Sequence, residues 1–229
     1  MTDQREDATY DAYLLHFPDG SWLAQLADLP GAYATGDSQA DAMAQLTAAI
    51  PAYYAWLSQH DEYTPTTHSV AHVVARAVVE APAGQGLGAF FADDAQPVSE
   101  EDLDWWLAAL EWAYDDLQAL AQRKAPSPRR DATLTAVAQA QALTVALATG
   151  VQLSATPGAD AQADALGRLS AARGATLAAF RATTTEQRAA VREVDGQRWS
   201  LRRGLRESAL LVRRTTDELA AQDQAPRGE

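Results

Sequence analysis

The sequence predicts an α+β fold in two parts: a small β-β-β-α-β-β domain over residues 1–96 and an all-α four-helix bundle over 97–229. Three observations point there. Two strand patterns and a capped helix fill the first sixty residues. A β-branched run follows at 70–79. From Pro97 onward the apolar pattern takes the period of about 3.6 that marks helices.

Residues 10–17 (Tyr-Asp-Ala-Tyr-Leu-Leu-His-Phe) have the aromatic and aliphatic content of a strand. Pro18-Asp19-Gly20 is a turn, because proline presets φ and glycine accepts positive φ. Strand 21–27 completes a hairpin, with Trp22, Ala24 and Leu26 on one face and Ser21, Leu23 and Gln25 on the other. Asp28-Leu29-Pro30-Gly31 stops it, since proline cannot donate to a ladder. Thr35-Gly36-Asp37-Ser38 supplies a turn and a helix cap. Ala42, Leu46, Ile50 (or Ala49), Tyr53 and Leu57 then recur at helical spacing over 38–59, and Pro51 predicts a kink or break near Ile50. The valine-rich run at 70–79 reads as a strand. Gly84-Gln-Gly-Leu-Gly88 turns it, and residues 87–91 return as a fifth strand.

The second half begins with Ser99-Glu-Glu-Asp102, a cap with acids in the first turn. Leu103, Trp106, Leu107, Leu110, Tyr114, Leu117 and Ala121 share one face of the helix that follows. Helical patterns recur at 131–149, 160–181 and 198–221, separated by Gly150-to-Gly158 and by Thr183-to-Gly196. Four such helices imply an up-and-down or crossover bundle.

Composition narrows the chemistry. The 229 residues are 47% hydrophobic and 21% charged, as in globular proteins. Cysteine is absent, which excludes disulfides, thiolate metal sites and a cysteine nucleophile. Met1-Thr-Asp-Gln-Arg-Glu-Asp7 lacks the apolar core of a signal peptide, and no apolar run approaches the ~20 residues of a membrane span. A cytoplasmic location without a membrane partner is the expectation. Of the net charge of −13, residues 1–97 carry −11, whereas residues 126–229 carry +3. An acidic surface repels phosphates, so nucleic acid is not an expected partner, and only the arginine-rich tail offers a place for it.

Two segments resemble known families. The order of strand, Gly20 through Asp28-Leu29-Pro30-Gly31, short strand, Thr35-x-x-Ser38 and helix resembles the HicB family of antitoxin-like domains over residues 10 to 92. That resemblance implies a truncated ribonuclease-H-like fold and a small basic toxin that degrades RNA as partner. Residues 98–221 look like the DinB-like four-helix bundles, most sharply at Gly196-Gln-Arg-Trp-Ser-Leu-Arg202. In that family the last helix carries a His-x-x-x-His pair, joined by a third histidine to hold a divalent metal. Here Leu211 and Thr215 stand at the paired positions, and no histidine follows His72. Leucine cannot ligate a metal, so the resemblance implies a bundle that has lost its metal and cofactor, with Leu211 filling the space.

The remaining candidates read as structural. His68-x-x-x-His72 has metal-ligand spacing only on a helix, whereas on a strand its members lie ~13 Å apart. His16 and His60 have no neighbouring nucleophile to activate. Gly84-x-Gly86-x-Gly88 leads into a strand rather than a helix, so it is a hairpin loop and not a dinucleotide site. Asp11, Asp28, Asp37 and Asp41 are solvated acids in this reading. Arg198, Arg202, Arg203, Arg206, Arg213 and Arg214 are spaced for pairing within the protein or between subunits.

The function expected is therefore a non-enzymatic binding protein of HicB antitoxin-like type that neutralises a small basic RNA-cleaving toxin. No catalytic, cofactor or metal residue is assigned. Partner contacts are expected at Trp22, Leu29, Pro30 and Gly31, and at Trp105 and Trp112, which lie seven residues apart on one helical face. Two alternatives stand beside it: a DinB-like thiol-dependent transferase or isomerase with an atypical metal site, and a structural homodimeric scaffold.

Overall fold

The computed structural model describes residues 8–60, 71–81, 89–153 and 164–221. It is a mixed α+β structure in which a four-stranded sheet is followed by helices, and the chain divides into two units, Met1–Phe91 and Ala92–Glu229.

In the first unit β1 (Ala8–His16), β2 (Trp22–Leu26) and β3 (Tyr33–Gly36) form an antiparallel meander, closed by glycines at positive φ, Gly20 at 86° and Gly31 at 77°. Helix α1 (Gln39–Ser58) follows, capped by Ser38, whose side chain accepts from the Asp41 amide. It carries the chain back so that β4 (Ala71–Glu80) pairs parallel to β1, giving the order β3-β2-β1-β4. Tyr10 meets α1 through a 2.8 Å hydrogen bond between its hydroxyl and that of Tyr54. Tyr13 lies on the opposite face and stacks on Phe91, centroids 4.3 Å apart.

Two expectations for this unit need correction. The break expected near Ile50 does not occur, since helix α1 runs on through Pro51. The proline sits on the exposed side, where water can satisfy the carbonyl it frees, while Ile50, Tyr53, Trp56 and Leu57 keep the buried stripe continuous. The fifth strand is not formed by Ala89–Phe91, which are irregular, and residues 87–88, like the glycine loop before them, lie outside the described residues. Phe91 is spent on stacking instead.

The second unit holds α2 (Glu100–Arg123), α3 (Pro128–Thr149), α4 (Ala165–Arg181) and α6 (Leu201–Ala221), with a short 3-10 helix at Ala92–Ala95 before them. Pairs between helices give their directions. Asp102–Arg202 and Asp116–Arg213 make α2 parallel to α6, and Gln118–Arg173 with Glu111–Arg181 makes α4 antiparallel to α2. Gly204 against Ala148 and Ser208 against Gln141 make α3 antiparallel to α6. The bundle is thus up-down-down-up, the crossover alternative.

This unit is not all-α. Between α4 and α6 stand a one-turn helix α5 (Thr185–Ala189) and a hairpin of β5 (Val191–Val194) and β6 (Gln197–Ser200), so α6 starts at 201 rather than 198. Asp195 (φ 51°) and Gly196 (φ 73°) make its two-residue turn, the left-handed pair that matches strand twist. Helix α3 also qualifies the membrane expectation: an 18-residue window of it reaches a mean hydropathy of 1.3, enough by length and composition for a span. Leucine, valine and alanine supply that hydropathy, and Leu134, Val137, Ala138, Val145 and Ala148 form a buried face within the bundle.

Candidate functional site

The densest polar chemistry lies where the hairpin feeds α6. Ser200 caps the helix, its hydroxyl accepting from the Arg203 amide at 3.2 Å. Trp199, 6% exposed at the end of β6, lies beneath the Arg203 guanidinium, whose carbon is 3.8 Å from the ring centroid. Arg203 Nε donates to Glu207 Oε1 at 2.5 Å and its Nη1 to the Arg198 carbonyl at 2.6 Å. One turn on, Arg206 grips Asp94 of the 3-10 helix with two hydrogen bonds, Nε to Oδ1 at 3.2 Å and Nη2 to Oδ2 at 2.7 Å. Asp94 is 1% and Arg206 2% exposed.

Burial holds the Glu207 carboxyl above its ordinary value, against the opposing pull of Arg203 and Arg206. Both carboxylates are bound by guanidinium groups, and the Ser200 hydroxyl beside them is engaged as the helix cap. This arrangement clamps the head of α6. It supplies neither a nucleophile with its base nor an open ligand set.

Three more arginines of the run are also paired with carboxylates. Arg202 pairs with Asp102 at 3.2 Å, Arg213 approaches Asp116 at 3.8 Å, and Arg214 pairs with Glu218 at 2.9 Å. On α4, Arg173 reaches Asp115 at 2.5 Å and Glu111 at 3.3 Å.

The expected partner-contact residues fall into separate places. Trp22 opens β2, half-buried, and stacks on His16 with centroids 4.5 Å apart, while His16 Nδ1 lies 2.9 Å from Glu80 Oε2. Leu29, 9% exposed, and buried Pro30 follow the other end of β2, about 16 Å of strand away. The Pro30 carbonyl accepts from the Tyr53 hydroxyl at 3.0 Å, and Gly31 turns the chain into β3. Trp105 and Trp112 do meet: both are half-buried on α2, in a T-shaped pair with centroids 6.1 Å apart.

Metal chemistry finds no ligand set. Among the described residues no three His, Asp or Glu side chains converge. His72 is exposed on β4, His60 lies edge-on to Trp56 at 5.3 Å, and His68 is outside the described residues. At the two positions where the sequence resemblance would expect histidines, Thr215 is 4% exposed and donates to the Leu211 carbonyl at 2.8 Å. Leu211 itself is only half-buried, so it does not fill the core as expected: it faces the flank of α6, whereas Leu210 and Val212 take the interior. Asp11 pairs with Arg76 at 2.5 Å, and Asp41 accepts from the Asp37 amide.

Two features of the clamp differ in legibility. Asp195-Gly196 between alternating residues is a hairpin signal present in the sequence. Asp94 carries no local signal, since its partner lies 112 residues away. No family model, curated protein or solved structure matches this chain.

Proposed function

We propose that this chain is a non-enzymatic binding protein of HicB antitoxin-like type, fused to a DinB-like bundle without the metal histidines. The observation that carries the reading is the first unit: an acidic α/β module of order β3-β2-β1-β4, with α1 as crossover after the Leu29-Pro30-Gly31 turn. A net charge of −11 over residues 1–97 favours a small basic protein electrostatically, the kind of partner HicB antitoxins bind. The ion pairs along α6 occupy Arg202, Arg203, Arg206, Arg213 and Arg214 within the unit, which leaves the tail poorly equipped for phosphate. A cytoplasmic location, without cofactor, goes with this reading.

Titration against a basic RNA-cleaving toxin tests it. Protection of RNA that rises with added protein to one equivalent supports the assignment, and an unaltered cleavage rate at saturating protein removes it. A second reading, a homodimeric scaffold, is favoured by the half-buried Trp105–Trp112 pair. Light scattering separates them: a dimer abolished by Trp105→Ala, together with no effect on cleavage, selects the scaffold. A stoichiometric divalent metal that survives dialysis would overturn both and restore the transferase alternative.

A further inference from the structure

The centre of the bundle is not wholly apolar. Its four long helices include four polar residues with no exposed surface: Tyr114 on α2, Gln141 on α3, Thr176 on α4 and Ser208 on α6, each 0% exposed. Contacts between helices put them at one level. Gln141 Nε2 donates to the Ser208 carbonyl at 3.0 Å. The Asp102–Arg202 and Asp116–Arg213 pairs bracket Ser208 and bring it level with α2 about one turn before Tyr114. A tyrosine on a helix leans back over that preceding turn. The Gln118–Arg173 and Glu111–Arg181 pairs bracket Thr176 in turn and bring it level with Tyr114 on α2.

Each of the four ends in a polar atom without a well-formed hydrogen bond to the protein: Tyr114 Oη, Gln141 Oε1, Thr176 Oγ1 and Ser208 Oγ. Helical hydroxyls have a ready remedy, donation to the carbonyl one turn back. Thr47, Ser58, Thr133, Thr135, Thr149, Thr215 and Thr216 all take it, at 2.7–3.0 Å. Thr176 and Ser208 do not, although burial makes an unpaired hydroxyl most costly there. Burial also pushes the Tyr114 phenol well above its ordinary value, with Thr176 and Arg173 opposing, so the phenol stays a proton donor.

We propose that the middle of the bundle is a buried hydration site, in which ordered water bridges Tyr114, Gln141, Thr176 and Ser208. The chemistry selects a small neutral molecule with donors and acceptors: Tyr114 donates to it, Gln141 Oε1 accepts from it, and the two hydroxyls take either role. None of the four side chains carries a charge to hold an ion. Such a layer also sets the helix register, because sliding one helix would bring its polar atom against apolar neighbours.

Thr176→Val and Ser208→Ala in the full chain test the site through the sign of a thermal shift. If water bridges these groups, each change strands the others and lowers the melting midpoint by about 2–4 °C. If the layer is dry, Ser208→Ala removes an unpaired buried hydroxyl and its midpoint holds or rises, which overturns the proposal. Should a variant fail to fold, the parent decides alone by water-to-protein magnetisation transfer in NMR. A direct cross-peak from long-lived water to the Gln141 side-chain amide supports the site. An assigned, protected amide without that peak overturns it.

Discussion

Asp94→Ala is the sharpest test of the clamp at the head of α6. The substitution leaves the Arg206 guanidinium, 2% exposed, without the carboxylate that takes two of its donors. Removing one member of a buried pair typically costs ~3–5 kcal/mol, because the remaining charge stays out of water. At about 2–4 °C per kcal/mol for a chain of this length, the melting midpoint should fall by ~6–20 °C. Asp94→Leu combined with Arg206→Met removes both charges and keeps the volume, so it should recover most of the loss. Urea unfolding of the parent, both single variants and the double variant measures the coupling directly. A cost below ~1 kcal/mol for Asp94→Ala would refute the reasoning, since it would mean that Arg206 rehydrates without disturbing the helix.

Other consequences follow from single contacts. A Cβ added at Gly204 would lie 2.4 Å from the Ala148 Cβ, so Gly204→Ala should cost ~1–3 kcal/mol in denaturant unfolding, and Ala148→Gly in the same chain should recover part of it. Glu207 has its folded pKa raised by burial, so its contribution is fully present below the ordinary value of 4.5 and is lost as pH rises through the raised one. Glu207→Gln should therefore flatten the fall in stability over that window, a change visible in unfolding curves taken from pH 4 to 7. Tyr53→Phe deprives the Pro30 carbonyl of its donor and should cost ~0.5–1.5 kcal/mol by the same assay.

Much of the fold was legible because periodic burial writes itself into sequence. The face of α2 from Leu103 to Ala121 is buried residue for residue as its spacing implied, and the seven-residue step from Trp105 to Trp112 does bring the rings together. The failures have local causes. Pro51 carries a general penalty whose size depends on which side of the helix it faces, and that side is set by tertiary packing. The 198–200 segment ends a strand although the helical spacing of Leu201, Leu205 and Val212 begins directly after it, and Asp195-Gly196 is the local signal that marks the hairpin. The polar layer was hidden in plain apolar stripes: Tyr114 sits on the predicted core face, and only its hydroxyl betrays it. Asp94 had no signal at all, being one acid among thirteen in the first 97 residues.

The parallel pairing of α2 and α6 bears on how the chain reaches its native state. The guanidinium that answers Asp94 is 112 residues downstream, and the partners of Asp102 and Asp116 lie on the same late helix. During synthesis, at roughly 5–20 residues per second, α2 is complete for several seconds before α6 exists. Helix α4, which precedes α6, can cover part of the α2 stripe from Leu103 to Leu117, but the Asp94 carboxylate must wait in water or against the wrong neighbour. The first unit, by contrast, closes its sheet within eighty residues. The order of birth thus gives one finished module and one bundle whose assembly hinges on its last helix, so the interval before α6 emerges is when this protein is most open to misassociation.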